Sequence, residues 1–219
     1  MLDKGFEYIE SFISNSETEV LIKDLSSIKL SNTSGGIRNI EKKSNAVKEF
    51  ISSKVVLQTV SKYLGNKPSF IRAIFFNKTP KQNWLVSWHQ DKTVSVSKKF
   101  AADGWHSWST KDEILHVQPP LEVLNQMVTL RVHLDESNRE NGCLKVMPSS
   151  HELGILSQST INEYATNNQS VDCAARKGSA LVMRPHLLHS SSKGTKPSQR
   201  RILHLEFSSY QLPKGVNWS

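Results

Sequence analysis

From residue 69 onward the chain is a succession of short runs rich in β-branched and aromatic residues, and this limits its fold more than any other feature. The runs are "SFIRAIFFN", "NWLVSWHQ", "QMVTLRVHLD", "GCLKVMPSS", "GSALVMR" and "RRILHLEFSS". Each has the length and residue types of a strand. The segments "NKTPKQN", "QPP", "ESNRENG" and "KGTKPSQ" separate them with turn-forming Pro, Gly, Asn and Ser. Earlier residues have a different character. "SETEVLIKDLSSI" begins with Ser16 and has Glu19 three residues on, a capping-box spacing ahead of Val20, Leu21, Leu25 and Ile28. A helical period then runs from Ala46 to Leu64 and stops at Gly65, a residue suited to the C′ position. Between them "SNTSGGIRN" reads as a Gly/Ser linker, unless Arg38 within it reaches into a pocket. A mainly helical part (1–66) followed by a strand-rich part (67–210) predicts one mainly β domain over 1–219. Its core would be a jelly-roll or barrel with helices packed on one outer face.

Composition narrows the partners. The 28 basic and 20 acidic residues leave a net charge of +8, which favours anions in general. The lysines are scattered, however, and no basic stripe interleaved with aromatics appears, so nucleic acid is disfavoured and an anionic small molecule suits the charge better. Two cysteines, Cys143 and Cys173, are too few for a disulfide framework. The start "MLDKGFEYIESFIS" has no cleavage-site pattern, and no run approaches the roughly 20 apolar residues that span a bilayer. A cytoplasmic protein without membrane contact is the expectation.

The stretch "LVSWHQDKT" carries His89 and Asp91 one residue apart. On a strand, positions i and i+2 point to the same face, so both side chains can reach one ion. An imidazole and a carboxylate are two members of the two-His, one-carboxylate triad that holds non-haem Fe(II) with open positions. H-x-D alone is a weak signal, and a third ligand is needed. "GSALVMRPHLLHSSSKGTKPSQRRILHLEF" reads as strand, turn with histidines, polar loop, strand. A His just beyond the first strand and an Arg at the start of the next can face one cavity. His189 lies eleven residues before Arg200, with Ser191 between them, and His186 is the rival ligand. Arg201 rivals Arg200, but strand neighbours face opposite sides, so one of the two enters the cavity and the other is solvated or paired. In "VTLRVHL", Thr129, Arg131 and His133 share a face opposite Leu130, Val132 and Leu134. That polar face lines the barrel or faces water; if it lines the barrel, Arg131 lies near a co-substrate or substrate.

Together the stretches "NKTP…WHQD", "HVQPPLEVL", "LRVHLDESNRENGCLKVMPSSH" and "GSALVMRPHLLHSSS…RRILHLEF", in this order, resemble the phytanoyl-CoA dioxygenase family of Fe(II)/2-oxoglutarate oxygenases. The resemblance implies a double-stranded β-helix (cupin-like jelly-roll) core. It implies iron on His89, Asp91 and His189, and Arg200 on the distal carboxylate of 2-oxoglutarate beside Ser191. Lys78, Gln90 and Arg131 fall near the co-substrate by the same resemblance. The carboxylate at Asp91 stands where halogenating relatives have a small residue, so oxygen insertion or another C–H oxidation is implied. Succinate and CO2 would be released from 2-oxoglutarate and O2. His116 in "HVQPP", Arg38 and Trp105 are the expected substrate contacts. The long polar stretch "SVSKKFAADGWHSWSTKDEI" is expected to form a lid over the mouth. The substrate expected is a small or medium-sized metabolite. The alternatives are a nucleic-acid dealkylating oxygenase of the same architecture, or a non-catalytic jelly-roll that binds metal or ligand.

Overall fold

The computed structural model describes residues 2–28, 36–65 and 68–219. Strand β1 (Phe6–Ile9) opens the chain and is followed by α1 (Asn15–Ser27), β2 (Ile37–Arg38), α2 (Asn45–Ile51) and α3 (Lys54–Leu64). Then come β3 (Ser69–Lys78), β4 (Val86–His89), β5 (Val94–Val96), β6 (His106–Lys111), β7 (Ile114–Gln118), α4 (Leu121–Asn125) and β8 (Met127–His133). The chain closes with β9 (Leu144–Val146), α5 (Gln158–Asn167), β10 (Val171–Cys173), β11 (Ala180–Met183), β12 (His189–Ser191) and β13 (Arg200–Ser208).

Three antiparallel sheets result. The major sheet has the order β1-β11-β8-β13-β3-β2, the minor sheet β10-β9-β12-β4, and a third sheet β5-β7-β6. Strand alternation sorts the major sheet into two faces. Ala73, Phe75, Leu130, Val132, Leu203 and Leu205 form one core with Leu21, Leu25, Val47, Phe50, Val56 and Val60 of the helices. On the other face Leu181, Met183, Phe6 and Tyr8 meet Leu144, Val146 and Cys173 of the minor sheet. The helices therefore cover one outer face of a mainly β jelly-roll, as expected.

On the inward face of the major sheet the register stacks side chains in rungs. Lys78 pairs with Arg200; Phe76 with Ile202 and His133; Ile74 with His204 and Arg131; Arg72 with Glu206 and Thr129. The polar face of β8 thus lines the interior, while its aliphatic face meets the helices.

Several local expectations are corrected. The capping box is Ser14/Glu17, not Ser16/Glu19: Ser14 Oγ accepts from Glu17 N–H, and Glu17 Oε2 accepts from Ser14 N–H at 2.8 Å. Starting there buries Thr18, Leu21 and Leu25 and leaves Val20 exposed. Ser14→Ala is expected to cost about 1 kcal/mol of stability, read from a denaturant midpoint. The helix over 46–64 is broken at Ser52–Ser53, where extended Ser53 starts α3 afresh. Serine competes poorly in helix interiors and favours caps, and the break lets both apolar stripes enter one core. Gly65 ends α3 with φ 75°, in the left-handed half of conformational space. Residues 31–35 of the expected linker lie outside the described residues, while Ile37–Arg38 pairs with β3 rather than forming a loop. The mainly helical N-terminal part also contributes β1, which joins the major sheet. The expected lid is in large part the third sheet, with β6 and β7 joined by a tight turn at Asp112 and Glu113.

Candidate active site

His89 ends β4 and His189 begins β12, and the two are directly opposed in the antiparallel register. Their ring centroids lie 4.1 Å apart. Each ring is fixed in the same way by its own strand. His89 Nδ1–H donates to Ser87 O, and His189 Nδ1–H to Leu187 O, both at 2.8 Å. A carbonyl can only accept, so each Nδ1 carries a proton and each Nε2 is the atom turned toward a possible metal. Both face Asp91, His89 Nε2 at 3.7 Å from Oδ1 and His189 Nε2 at 3.4 Å from Oδ2. Asp91 N–H donates to Pro185 O at 2.9 Å, which sets the carboxylate beside the rings.

The ligand atoms of the three side chains all lie within 4.8 Å of one another. Two imidazole nitrogens and one carboxylate on one side of an open space suit a metal of the Fe(II) type, so the donor set fits the ion the resemblance implies. Electrostatics agree. Burial, reinforced by His189, pushes His89 down to about 4, leaving it neutral at pH 7. Burial alone would raise Asp91, but His189 and then His89 hold it well below the usual carboxylate range, so it stays ionised.

The cavity over the triad is lined on its other side by Lys78, Arg131, Arg200 and Ser191, with Phe76 and Trp84 as apolar walls. Lys78 Nζ donates to Ser191 Oγ at 2.8 Å and to Ser192 O at 2.7 Å; Ser191 Oγ donates in turn to Gly142 O at 2.8 Å. Arg200 Nη2 reaches Ser191 Oγ at 3.4 Å, and its Nε has no partner among the described residues. Burial pushes Lys78 down to about 7, with Arg200 and Arg131 adding to the shift. Burial, with Arg131, lowers Arg200 to about 10. Among the described residues, neither Lys78 nor Arg200 forms an ion pair with a carboxylate.

Of the remaining candidates, His186 is buried but stands apart from the triad beside His151, at 6.0 Å between ring centroids. Arg201 faces outward in a bidentate pair with Asp135, both bonds at 2.7 Å. Gln90 alternates away from its neighbours. Its amide donates to Gly154 O and His186 O and accepts from Leu156 N–H, so it ties down that loop and does not line the cavity. Trp105 is likewise not brought to the cavity: it is buried against Phe100 and Tyr210 in the core of the third sheet. Arg38 is exposed and pairs with Asp112 at 3.4 Å, linking the edge of the major sheet to the β6–β7 turn.

His116 is buried, its Nδ1 accepting from Arg72 Nη1 at 3.1 Å. Arg72 and Glu206, absent from the sequence-based set, form a buried pair at 2.8 Å. They continue a polar chain, since Glu206 accepts from His204 Nε2–H at 3.3 Å and His204 Nδ1 accepts from Arg131 at 2.7 Å. Arg72 also donates to Thr93 O at 3.0 Å, two residues past Asp91. Counting back by two from Lys78, and forward by two from Arg200, would have reached both residues.

Residues 3–202 match the family described as phytanoyl-CoA dioxygenase (PhyH). No curated protein matches the sequence. Several crystal structures share the fold. HygX from Streptomyces hygroscopicus, with nickel, 2-oxoglutarate and hygromycin B bound, is 16% identical with a TM-score of 0.67, covering 94% of this chain and 83% of its own. EctD from S. alaskensis, with 2-oxoglutarate and 5-hydroxyectoine, is 17% identical at 0.71, covering 94% and 72%. AviO1 from Streptomyces viridochromogenes Tue57 is 16% identical at 0.69, covering 97% and 93%. Among the described residues, no helix is long and apolar enough to cross a membrane.

Proposed function

The chain belongs to the phytanoyl-CoA dioxygenase family of Fe(II)/2-oxoglutarate-dependent oxygenases, and on that premise we propose that it oxidises a C–H bond of a small or medium-sized molecule. In this reading His89, Asp91 and His189 hold the iron. Arg200, Lys78 and Ser191 take the distal carboxylate of 2-oxoglutarate. The observation that carries it is the pairing of two features in one cavity: a two-His, one-carboxylate triad at one side, and buried cations without carboxylate partners among the described residues at the other. Hygromycin B and 5-hydroxyectoine in the similar structures are small polar molecules bound together with 2-oxoglutarate, which supports a substrate of that size.

The residues divide the work. Iron, when bound, supplies oxygen activation coupled to oxidative decarboxylation of 2-oxoglutarate to succinate and CO2. Ser87 O and Leu187 O fix the two imidazoles, as outer hydrogen bonds commonly do in such sites. Arg200 offers a planar fork matched to a carboxylate. Ser191, already donating to Gly142 O, accepts from Lys78 and holds its ammonium toward the same end. Phe76 and Trp84 exclude water around the bound chain. Arg131 faces the same cavity from β8.

Anaerobic titration of the purified protein with Fe(II) and then 2-oxoglutarate tests this reading. A weak visible charge-transfer band is expected, and its absence from folded protein would overturn the assignment. Lys78 adds a pH dependence. Its ammonium is charged below about 7 and loses its proton as pH rises through that value, so affinity for the dianionic co-substrate should fall between pH 6 and pH 8. In Lys78→Met that slope should vanish, as read from 2-oxoglutarate binding at each pH.

A further inference from the structure

The charges in the cavity do not balance once the proposed ligands are counted. Among the described residues, Asp91 is the one carboxylate lining it, against Lys78, Arg131 and Arg200. Glu206 is engaged with Arg72, so that pair adds nothing net. A divalent metal and a dianionic co-substrate cancel each other. Two positive charges remain in excess, or one if Lys78 is deprotonated. Uncompensated charge in a buried cavity is costly, and an anion supplied from outside removes that cost.

Position singles out Arg131. Arg200 stands at the Lys78 rung, whereas Arg131 shares a rung with His204 and Ile74, four residues further along β13. At strand rise this is about 13 Å along the sheet. A co-substrate carboxylate held by Arg200 would sit at the Lys78 rung. Arg131 lines the same cavity from β8, within electrostatic reach of Asp91 as well as of Arg200. Its guanidinium is buried yet under-used. Nη1 donates to His204 Nδ1 at 2.7 Å, the ring of Phe76 lies 5.5 Å from the guanidinium carbon, and Nε has no partner. The Glu206–His204 bond fixes the imidazole as the Nε2–H tautomer, so His204 accepts from Arg131 and holds the fork in place without neutralising it.

We propose that Arg131 binds an anionic group on the substrate, a carboxylate or a phosphate, and thereby orients the neighbouring C–H bond toward the metal. The proposal rests on the oxygenase reading above. It makes the substrate an organic acid or phosphate ester rather than a neutral or cationic metabolite.

The test uses the anaerobic Fe(II)·2-oxoglutarate complex, with acetate, inorganic phosphate and neutral acetamide as probes. Acetate or phosphate should shift the charge-transfer band saturably, and acetamide should not; the more effective anion identifies carboxylate or phosphate as the group recognised. Arg131→Met should still form the band but bind the effective anion at least about tenfold more weakly, the order expected for losing a charged hydrogen bond. Arg131→Lys, which keeps the charge, should recover part of the response and serves as the second variant if the methionine variant does not fold.

Several outcomes overturn the proposal. One is a band in the unsubstituted protein that no anion shifts, or that anions bleach by displacing 2-oxoglutarate. Another is an equal anion response in folded Arg131→Met, and a third is loss of the band itself in that folded variant, which would give Arg131 to the co-substrate. Failure of the unsubstituted protein to form the band would instead strike the oxygenase reading.

Discussion

Asp91→Ala is expected to weaken Fe(II) binding by more than about a hundredfold and to abolish succinate production. Loss of an outer hydrogen bond to a metal ligand typically costs about 10- to 100-fold in affinity, and removal of a ligand that also supplies the site's negative charge should exceed that. The carboxylate's side-chain contacts among the described residues are with the two imidazoles alone, at 3.4 and 3.7 Å. Its removal also leaves Lys78, Arg131 and Arg200 less compensated, so the metal-free protein should fold but with reduced stability. Equilibrium Fe(II) binding and circular dichroism, measured together, separate the two effects. Full 2-oxoglutarate turnover by a folded Asp91→Ala protein would mean that the metal, if one is used, sits elsewhere.

Arg200→Met is expected to have the second-largest effect, on 2-oxoglutarate rather than on the metal. Truncating one partner of a buried, hydrogen-bonded charge pair costs about 2–5 kcal/mol, or roughly thirtyfold to several thousandfold in affinity. In the free protein the guanidinium makes one long hydrogen bond, 3.4 Å to Ser191, so little stability should be lost with it. Fe(II) affinity should be retained and the charge-transfer band lost at ordinary 2-oxoglutarate concentrations. The outcome that contradicts the reading is an unchanged band at the same co-substrate concentration. Lys78 does not substitute for the lost fork, because an ammonium cannot reproduce two parallel bonds to a carboxylate.

The fold was legible where alternation was strong. β8 and most of β3 and β13 alternate inward and outward residues, with a bulge at Glu206–Phe207, and their register in the major sheet follows that period up to the bulge. Short elements were not legible. β12 is three residues of His and Ser, with no strand propensity of its own, and it forms because β4 and β9 pair with it on both sides. The third sheet was hidden because β6, "HSWSTK", is mostly exposed and polar on both faces. Trp105 was misplaced for a related reason: a tryptophan in a polar stretch looks available, yet its burial depends on Phe100 and Tyr210 from separate parts of the chain. Gln90 illustrates the reverse error. It follows His89 just past the end of β4 and lies between two residues that face the cavity, which is itself an argument that its side chain turns away from it. Arg72 and Glu206 are isolated charges within apolar runs, which suggests nothing until their strands are paired.

The cross-strand position of the two histidines has a consequence for the life of the chain before any turnover. β4 is four residues long and terminates the minor sheet, paired with β12 and with no strand on its other edge among the described residues. Unpaired edges invite mispairing with other chains. A metal held between His89 on β4 and His189 on β12 would act as an extra rung at this margin, which α5 already covers in part through Gln158 and Trp88, and its binding energy would count as folding energy. Loading would then double as quality control. Chains that have acquired the ion would keep a sealed sheet, and chains starved of it would be the ones offered to proteases and to one another.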